Sequence, residues 1–204
     1  MKTIGNFLLL TAIVYACIGC ESNSSTEIVS AEDYYWYNGN KIYLEKGNQE
    51  YVIYDNDLLS ESDKENLVQS GDVSYPQRNN LKWGITKANV AIEDVEHVLY
   101  RMPSYKNGED GSMFVTHRFY VKLKDSNDLS ILQNMAKQYN VEIEAEDATL
   151  TLWYILRCGL PSSSNALKLA NVFYESGLFL ATEPEFIGGI GFDNPTAINP
   201  VNHN

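Results

Sequence analysis

The sequence is poor in the side chains that carry most enzyme chemistry. Its 204 residues include three histidines and three cysteines, and so few cysteines exclude a disulfide-built scaffold. His97, His117 and His203 are far apart and show no metal-ligand spacing. Positive charge is also scarce: 15 Lys and Arg against 27 Asp and Glu leave a formal charge of −12. That balance argues against a protein that tracks nucleic-acid phosphates. No apolar run reaches the roughly 20 residues of a membrane-spanning helix. Asp55-Asn56-Asp57 lacks the Gly and terminal Glu of a calcium loop. Gly188-Gly189-Ile190-Gly191 lacks the Lys and the strand-to-helix setting of a phosphate loop. No metal and no cofactor is expected. What the chain does have is apolar and aromatic material, 44% and 12% of its residues. This is enough for one domain or two small ones with a core, and too much for disorder.

The N-terminus reads as an address. Lys2 precedes the apolar stretch Phe7 to Val14, which has the length of a secretory signal. Ala16-Cys17-Ile18-Gly19-Cys20 follows, then the polar Glu21-Ser22-Asn23-Ser24-Ser25. A small residue directly before a Cys and a polar leader after it resemble the lipobox of a bacterial lipoprotein, although Cys17 stands where that motif usually has Leu. The likeness implies a signal peptide over 1–19, lipidation of Cys20, and a lipid anchor in the cell envelope at the outer membrane. An ordinary cleaved signal with a free Cys20 is the alternative. Residues 20–32 read as a flexible tether.

Residues 33–115 read as a β-rich subdomain. Tyr34-Tyr35-Trp36-Tyr37 and Lys41-Ile42-Tyr43-Leu44 flank Asn38-Gly39, the strongest short hairpin signal. Tyr51 to Tyr54 reads as a third strand, Asp57 to Gln69 as a helix, and Leu81 to Thr86 and Val95 to Met102 as further strands. Asn107 to Gly111 reads as a loop. Residues 116–187 have a clearer rhythm. Arg118 to Lys124 alternates as a strand. Leu129, Leu132, Met135, Ala136 and Tyr139 make a helical stripe. Val141 to Glu144 and Leu150 to Arg157 read as strands, the acids Glu142, Glu144 and Glu146 keeping an edge strand from aggregating. Ala166, Leu169, Ala170 and Phe173 form a second stripe ended by Gly177, and Leu178 to Ala181 reads as the last strand. This is the βαββαβ, ferredoxin-like order. The fold class is therefore α+β. Right-handed crossovers place the first and third strands of the unit in the centre. Residues 188–204 read as a flexible tail.

Two helices cover one face of such a sheet. The apolar run at 150–157, with Tyr120, Phe179 and Trp153 or its neighbours turned away from the helices, implies an apolar open face that needs a cover. Either residues 33–115 lie over it or a partner protein docks there.

Several stretches share a wider likeness: Arg118 to Lys124, Met135 to Asn140, Leu152 to Cys158, Asn165 to Phe179, and Glu183-Pro184-Glu185-Phe186. Together with the aromatic opening Tyr34 to Leu44, they resemble the N-terminal prodomain region of secreted subtilisin-like serine proteases (peptidase family S8) from the Bacteroidetes. The resemblance implies a ferredoxin-like propeptide that assists folding of a protease and blocks it. Its contact surface would include Tyr120, Trp153, Ile155 and Phe179, with an inhibitory tail starting near Glu183, Pro184, Glu185 and Phe186. Nothing in the sequence resembles the family's catalytic Asp, His and Ser segments. Gly111-Ser112-Met113 is a superficial echo, and the histidines offer no oriented base. Cys158 reads as a buried small hydrophobe.

The expectation is a non-catalytic, membrane-anchored, prodomain-like protein that binds a subtilisin-like protease and inhibits or chaperones it. One alternative is an envelope lipoprotein of another binding or structural role, its sheet face covered internally, with Tyr34 to Tyr37 as a glycan platform or as core. Another is a truncated remnant of a subtilase.

Overall fold

The computed structural model describes residues 32–71, 80–92, 95–109, 111–161 and 164–189. The leader, Cys20, the tether up to residue 31, His203 and the tail from 190 onward lie outside the described residues.

The chain opens with a hairpin, β1 (Tyr34–Tyr37) and β2 (Asn40–Tyr43). Asn38 and Gly39 turn it with φ of +47° and +78°, the doubly left-handed turn that matches strand twist and that Asn-Gly accepts at least cost. β3 (Lys46–Asp55) follows, then the short α1 (Glu61–Glu65), β4 (Leu67–Gly71), β5 (Leu81–Lys87), β6 (Val98–Asn107) and the long β7 (Gly111–Lys122). After these come α2 (Leu129–Gln138), β8 (Val141–Glu146), β9 (Trp153–Cys158), α3 (Ala166–Glu175) and β10 (Ala181–Gly189).

Apart from the hairpin, all strands join one antiparallel sheet in the order β4-β5-β3-β6-β7-β9-β8, with β10 on the other edge of β7. The second half is a ferredoxin-like unit, because its strands lie in the order β10-β7-β9-β8 with the first and third central. The β-rich first half is joined to it edge to edge: Ser104 of β6 is opposite Phe114 of β7. β7 therefore runs through the 115/116 boundary that the composition suggests.

The helices cover one face. Phe119 and Val121 of β7, Leu123 just after it and Leu156 of β9 are fully buried with Leu132 of α2 and Phe173 of α3. Phe119 meets Phe173 edge-on at 5.2 Å. The helix starts are fixed by side chains: Asn165 accepts the Lys168 N–H at 2.8 Å, and Asp125 and Asp128 form a capping box just before α2.

Among the element boundaries that differ from the sequence expectation, three have a visible cause. The helix expected over 57–69 is only α1, capped by Ser60 through the Asp63 N–H. The run from Leu67 goes to strand β4 because it pairs with β5. β9 starts at Trp153, because the Asp147 carboxylate accepts the N–H groups of Thr149 and Leu150 and bends the chain there. The last strand begins at Ala181 and runs to Gly189, whereas Leu178 and Leu180 are 43% and 56% exposed in the connection before it.

Candidate functional site

The face of the ferredoxin-like unit opposite the helices can be read from its register. Directly opposed residues share a face, and Phe119 and Val121 point to the helices. The open face therefore takes Arg118 with Arg157, Tyr120 with Ile155, and Lys122 with Trp153 across β7 and β9. Glu183 stands opposite Tyr120 on β10. Glu185, two residues on, falls on the same face by ordinary alternation, which β10 keeps through the register shift between Pro184 and Phe186. Glu142 stands opposite Arg157, so Glu144 shares the open face by alternation and reaches Arg118; the register shift after Ile143 brings Ala145 opposite Ile155.

The centre of this face is aromatic and aliphatic, and its frame is charged. Tyr120, Ile155 and Trp153 are half-buried, and the Lys122 ammonium lies 5.7 Å from the Trp153 ring centre, within cation–π range. Arg118 pairs with Glu185 at 3.3 Å and, reaching past β9, with Glu144 at 3.0 Å. Glu185 also accepts the hydroxyls of Thr116 at 2.5 Å and Tyr120 at 3.1 Å. Arg157 pairs with Glu142 at 2.6 Å. Burial, then the Glu185 carboxylate, pushes the Tyr120 hydroxyl well above the usual phenol range, so it stays a donor.

Two expectations are corrected here. The open face is not a plain apolar surface in need of a cover, because glutamates neutralise its arginines within the chain. Nor do the described residues of 33–115 lie across it; their sheet continues it sideways from β7. Of the side chains expected on this face, Tyr120, Trp153, Ile155, Glu183 and Glu185 are there. Phe179 is not: it stacks on Phe173 of α3 at 5.6 Å, in the core. Pro184 is opposite Phe119 and Phe186 opposite Val115, both on the helix side. Phe186 there meets the ring of Tyr35 at 5.0 Å. Glu183 to Phe186 belong to a hydrogen-bonded strand rather than to a tail.

Sequence reasoning missed Arg118, Arg157, Thr116 and Lys122 as parts of this surface. The alternation of 118, 120 and 122 carried a signal, but which strands lie beside β7 depends on long-range pairing that no local pattern announces.

The aromatic hairpin uses its rings internally. Trp36 stacks on Tyr174 of α3 at 4.8 Å, and Lys41 lies 4.1 Å from the Tyr34 ring centre and 5.2 Å from that of Trp36. Rings engaged in this way favour an interface with α3 over a glycan platform. His97 ends a 3-10 turn (Val95–His97) rather than lying on a strand, while His117 is on β7 and fully buried. Cys158 is buried, which pushes its thiol up to about 12 and makes it unreactive at neutral pH. Among the described residues no group of three or more His, Cys, Asp or Glu is placed to hold a metal ion. No described helix is long and apolar enough to cross a membrane.

No family model matches the chain, and no curated protein matches it significantly. A solved structure, the small subunit of acetolactate synthase from Thermotoga maritima, aligns over 70% of this chain and 95% of its own, at 9% identity and a TM-score of 0.24.

Proposed function

We propose that this chain is a non-catalytic binding protein whose working surface is the open face of the ferredoxin-like unit. Its partner, on the resemblance to prodomains, is a subtilisin-like serine protease, which it inhibits or chaperones. A lipid on Cys20 holds it at the outer membrane of the cell envelope. The observation that carries this reading is the half-buried trio Tyr120, Ile155 and Trp153 framed by fixed charges on a face no helix covers. An aromatic centre within a polar rim is the anatomy of a protein-binding patch. The geometry supports docking by the face, without insertion of Glu183 to Phe186 into a substrate cleft.

Mixing the purified protein with subtilases of the same source tests the reading. Slowed peptide hydrolysis or a measurable complex is expected, and Trp153→Ala should weaken it at least tenfold, as for a buried aromatic anchor (roughly 2 kcal/mol). No complex with any of them, and no effect on hydrolysis or refolding, refutes it. The second reading is an envelope lipoprotein of another binding role. It is favoured by the internal neutralisation of Arg118 and Arg157, which leaves the face stable uncovered.

A further inference from the structure

β2 is the outer strand of the hairpin, and it is exposed along its whole length. Among the described residues it pairs with β1 alone. Ile42 and Tyr43 are 37% and 61% exposed. Unpaired main-chain groups on an apolar edge are a template for another strand. Hydrogen-bond alternation fixes which groups those are. The Leu44 N–H donates to the Asp33 carbonyl at 2.8 Å, so in the register of the hairpin Ile42 exchanges bonds with Tyr35, and Asn40 with Tyr37. Lys41 and Tyr43 fall between and turn their N–H and C=O groups outward. A strand added to this edge must bond to them.

A second copy of the chain, laid antiparallel along β2, can meet that requirement with Lys41 opposite Lys41, with Tyr43 opposite Tyr43, or with Lys41 opposite Tyr43. The first sets like charges against each other. The second needs the edge to continue to Glu45, which would stand opposite Lys41. That edge is already taken: the Glu45 carbonyl accepts the Lys106 N–H at 2.8 Å, and its carboxylate pairs with the Lys106 ammonium. The third ends at Tyr43 and centres on Ile42, which meets its own counterpart. It sets each Lys41 beside a Tyr43 ring of the other copy, the kind of neighbour that Lys41 already has in Tyr34, at 4.1 Å from the ring centre.

We infer that β2 is a self-pairing edge: two copies join antiparallel about Ile42, Lys41 of each exchanging main-chain hydrogen bonds with Tyr43 of the other, so that the two hairpins form one continuous sheet. The contact is isologous, the same patch serving both copies. The edge strand β8 does not offer this, because Glu142, Glu144 and Glu146 would set acids against acids in the same kind of pairing. The β2 contact uses no residue of the open face, so it stands whatever docks there. A ladder this short buries well under the roughly 1,200 Å² of a stable interface, which makes the dimer a weak one.

The test is sedimentation equilibrium of the full chain carrying Cys17→Ser and Cys20→Ser, at up to about 1 mM because the contact is weak. A monomer–dimer equilibrium is expected. Tyr43→Glu sets a carboxylate opposite Lys41 twice by symmetry and should tighten the dimer about fivefold, whereas Tyr43→Lys should weaken it about fivefold. In the same background, with air and copper–phenanthroline as the oxidant, Ile42→Cys should give a disulfide-linked dimer. The pair at the two-fold axis is of the non-hydrogen-bonded kind, with Cα atoms about 4.5 Å apart. Lys41→Cys should not link, since its counterpart lies diagonally away, beyond about 7 Å. A monomer at every concentration, a dimer that the two Tyr43 substitutions shift in the same direction or not at all, or Lys41→Cys linking as readily as Ile42→Cys would overturn the inference. Should a Tyr43 variant fail to fold, the comparison of the two cysteine variants decides.

Discussion

Glu175 ties the hairpin to the C-terminal end of α3 through three groups. It accepts the Tyr34 hydroxyl at 2.7 Å and the Trp36 indole N–H at 3.1 Å, and Lys41 lies 4.0 Å away. The Tyr34 hydroxyl, followed by the Trp36 N–H, holds this carboxyl below its ordinary range. Its contribution is therefore present above the unfolded value near 4.5 and is lost as pH falls through the lower folded one. Removing the acceptor in Glu175→Ala leaves two donors competing for water, at a cost of about 1 kcal/mol. Urea unfolding should show that loss, and Trp36 emission should shift to the red as its ring leaves Tyr174; Glu175→Gln, which keeps an acceptor oxygen, should lose less. Equal stability and emission in the alanine variant would mean that stacking alone holds the hairpin. None of this was legible locally. The sequence signals a hairpin at Asn38-Gly39, but nothing near residue 175 announces that its last helical turn will receive residue 34.

At the scale of elements, the sequence revealed what periodicity encodes and hid what register encodes. The two stripes of α2 and α3 and the alternation of β7 made the βαββαβ order readable, and the pairing bears it out. Phe179 misled because it precedes β10, where alternation between sheet faces does not apply, and its ring turns back to α3. Glu144 and Glu185 follow the alternation of Glu142 and Glu183, but that both meet Arg118 depends on long-range strand pairing, which local pattern does not encode. The loop between β6 and β7 was equally legible, but its tightness was not. A Cβ added to Gly111 would lie 2.2 Å from the Asn107 carbonyl oxygen, a contact with backbone that cannot rotate away. Gly39 differs: its φ is +78°, but the nearest atom to an added Cβ is the Tyr174 hydroxyl at 4.0 Å. Gly111→Ala should therefore cost about 2–3 kcal/mol by forcing the hairpin open. Gly39→Ala should cost only the left-handed strain, about 1–2 kcal/mol. Urea midpoints of the two variants check the order, and a milder effect at Gly111 would show that β6 and β7 can separate there without loss.

At the scale of the whole molecule, β7 is the member that both halves of the sheet share. Val115, Phe119 and Val121 are fully buried in one hydrophobic cluster that also takes Tyr51 and Ile53 of β3 and Phe173 of α3. A core that crosses the 115/116 boundary gives neither half a complete interior of its own. Composition alone suggested two units there, because the β-rich half and the βαββαβ half differ in pattern, and pattern carries no information on whether two cores merge. The merger predicts one cooperative unfolding transition. Trp83 reports on β5 in the first half, where it stacks on Tyr51 at 5.8 Å; Trp153 reports on the start of β9 in the second. With each retained in turn and the other tryptophans replaced by phenylalanine, urea unfolding followed by fluorescence should give coincident curves, both matching far-UV circular dichroism. A fragment cut at 115/116 should not fold, since it would divide β7 and strip β10 of its partners at Phe114 and Val115. Separate transitions for Trp83 and Trp153, or a folded fragment, would show that the shared strand joins two independent domains and that the common cluster contributes little to either.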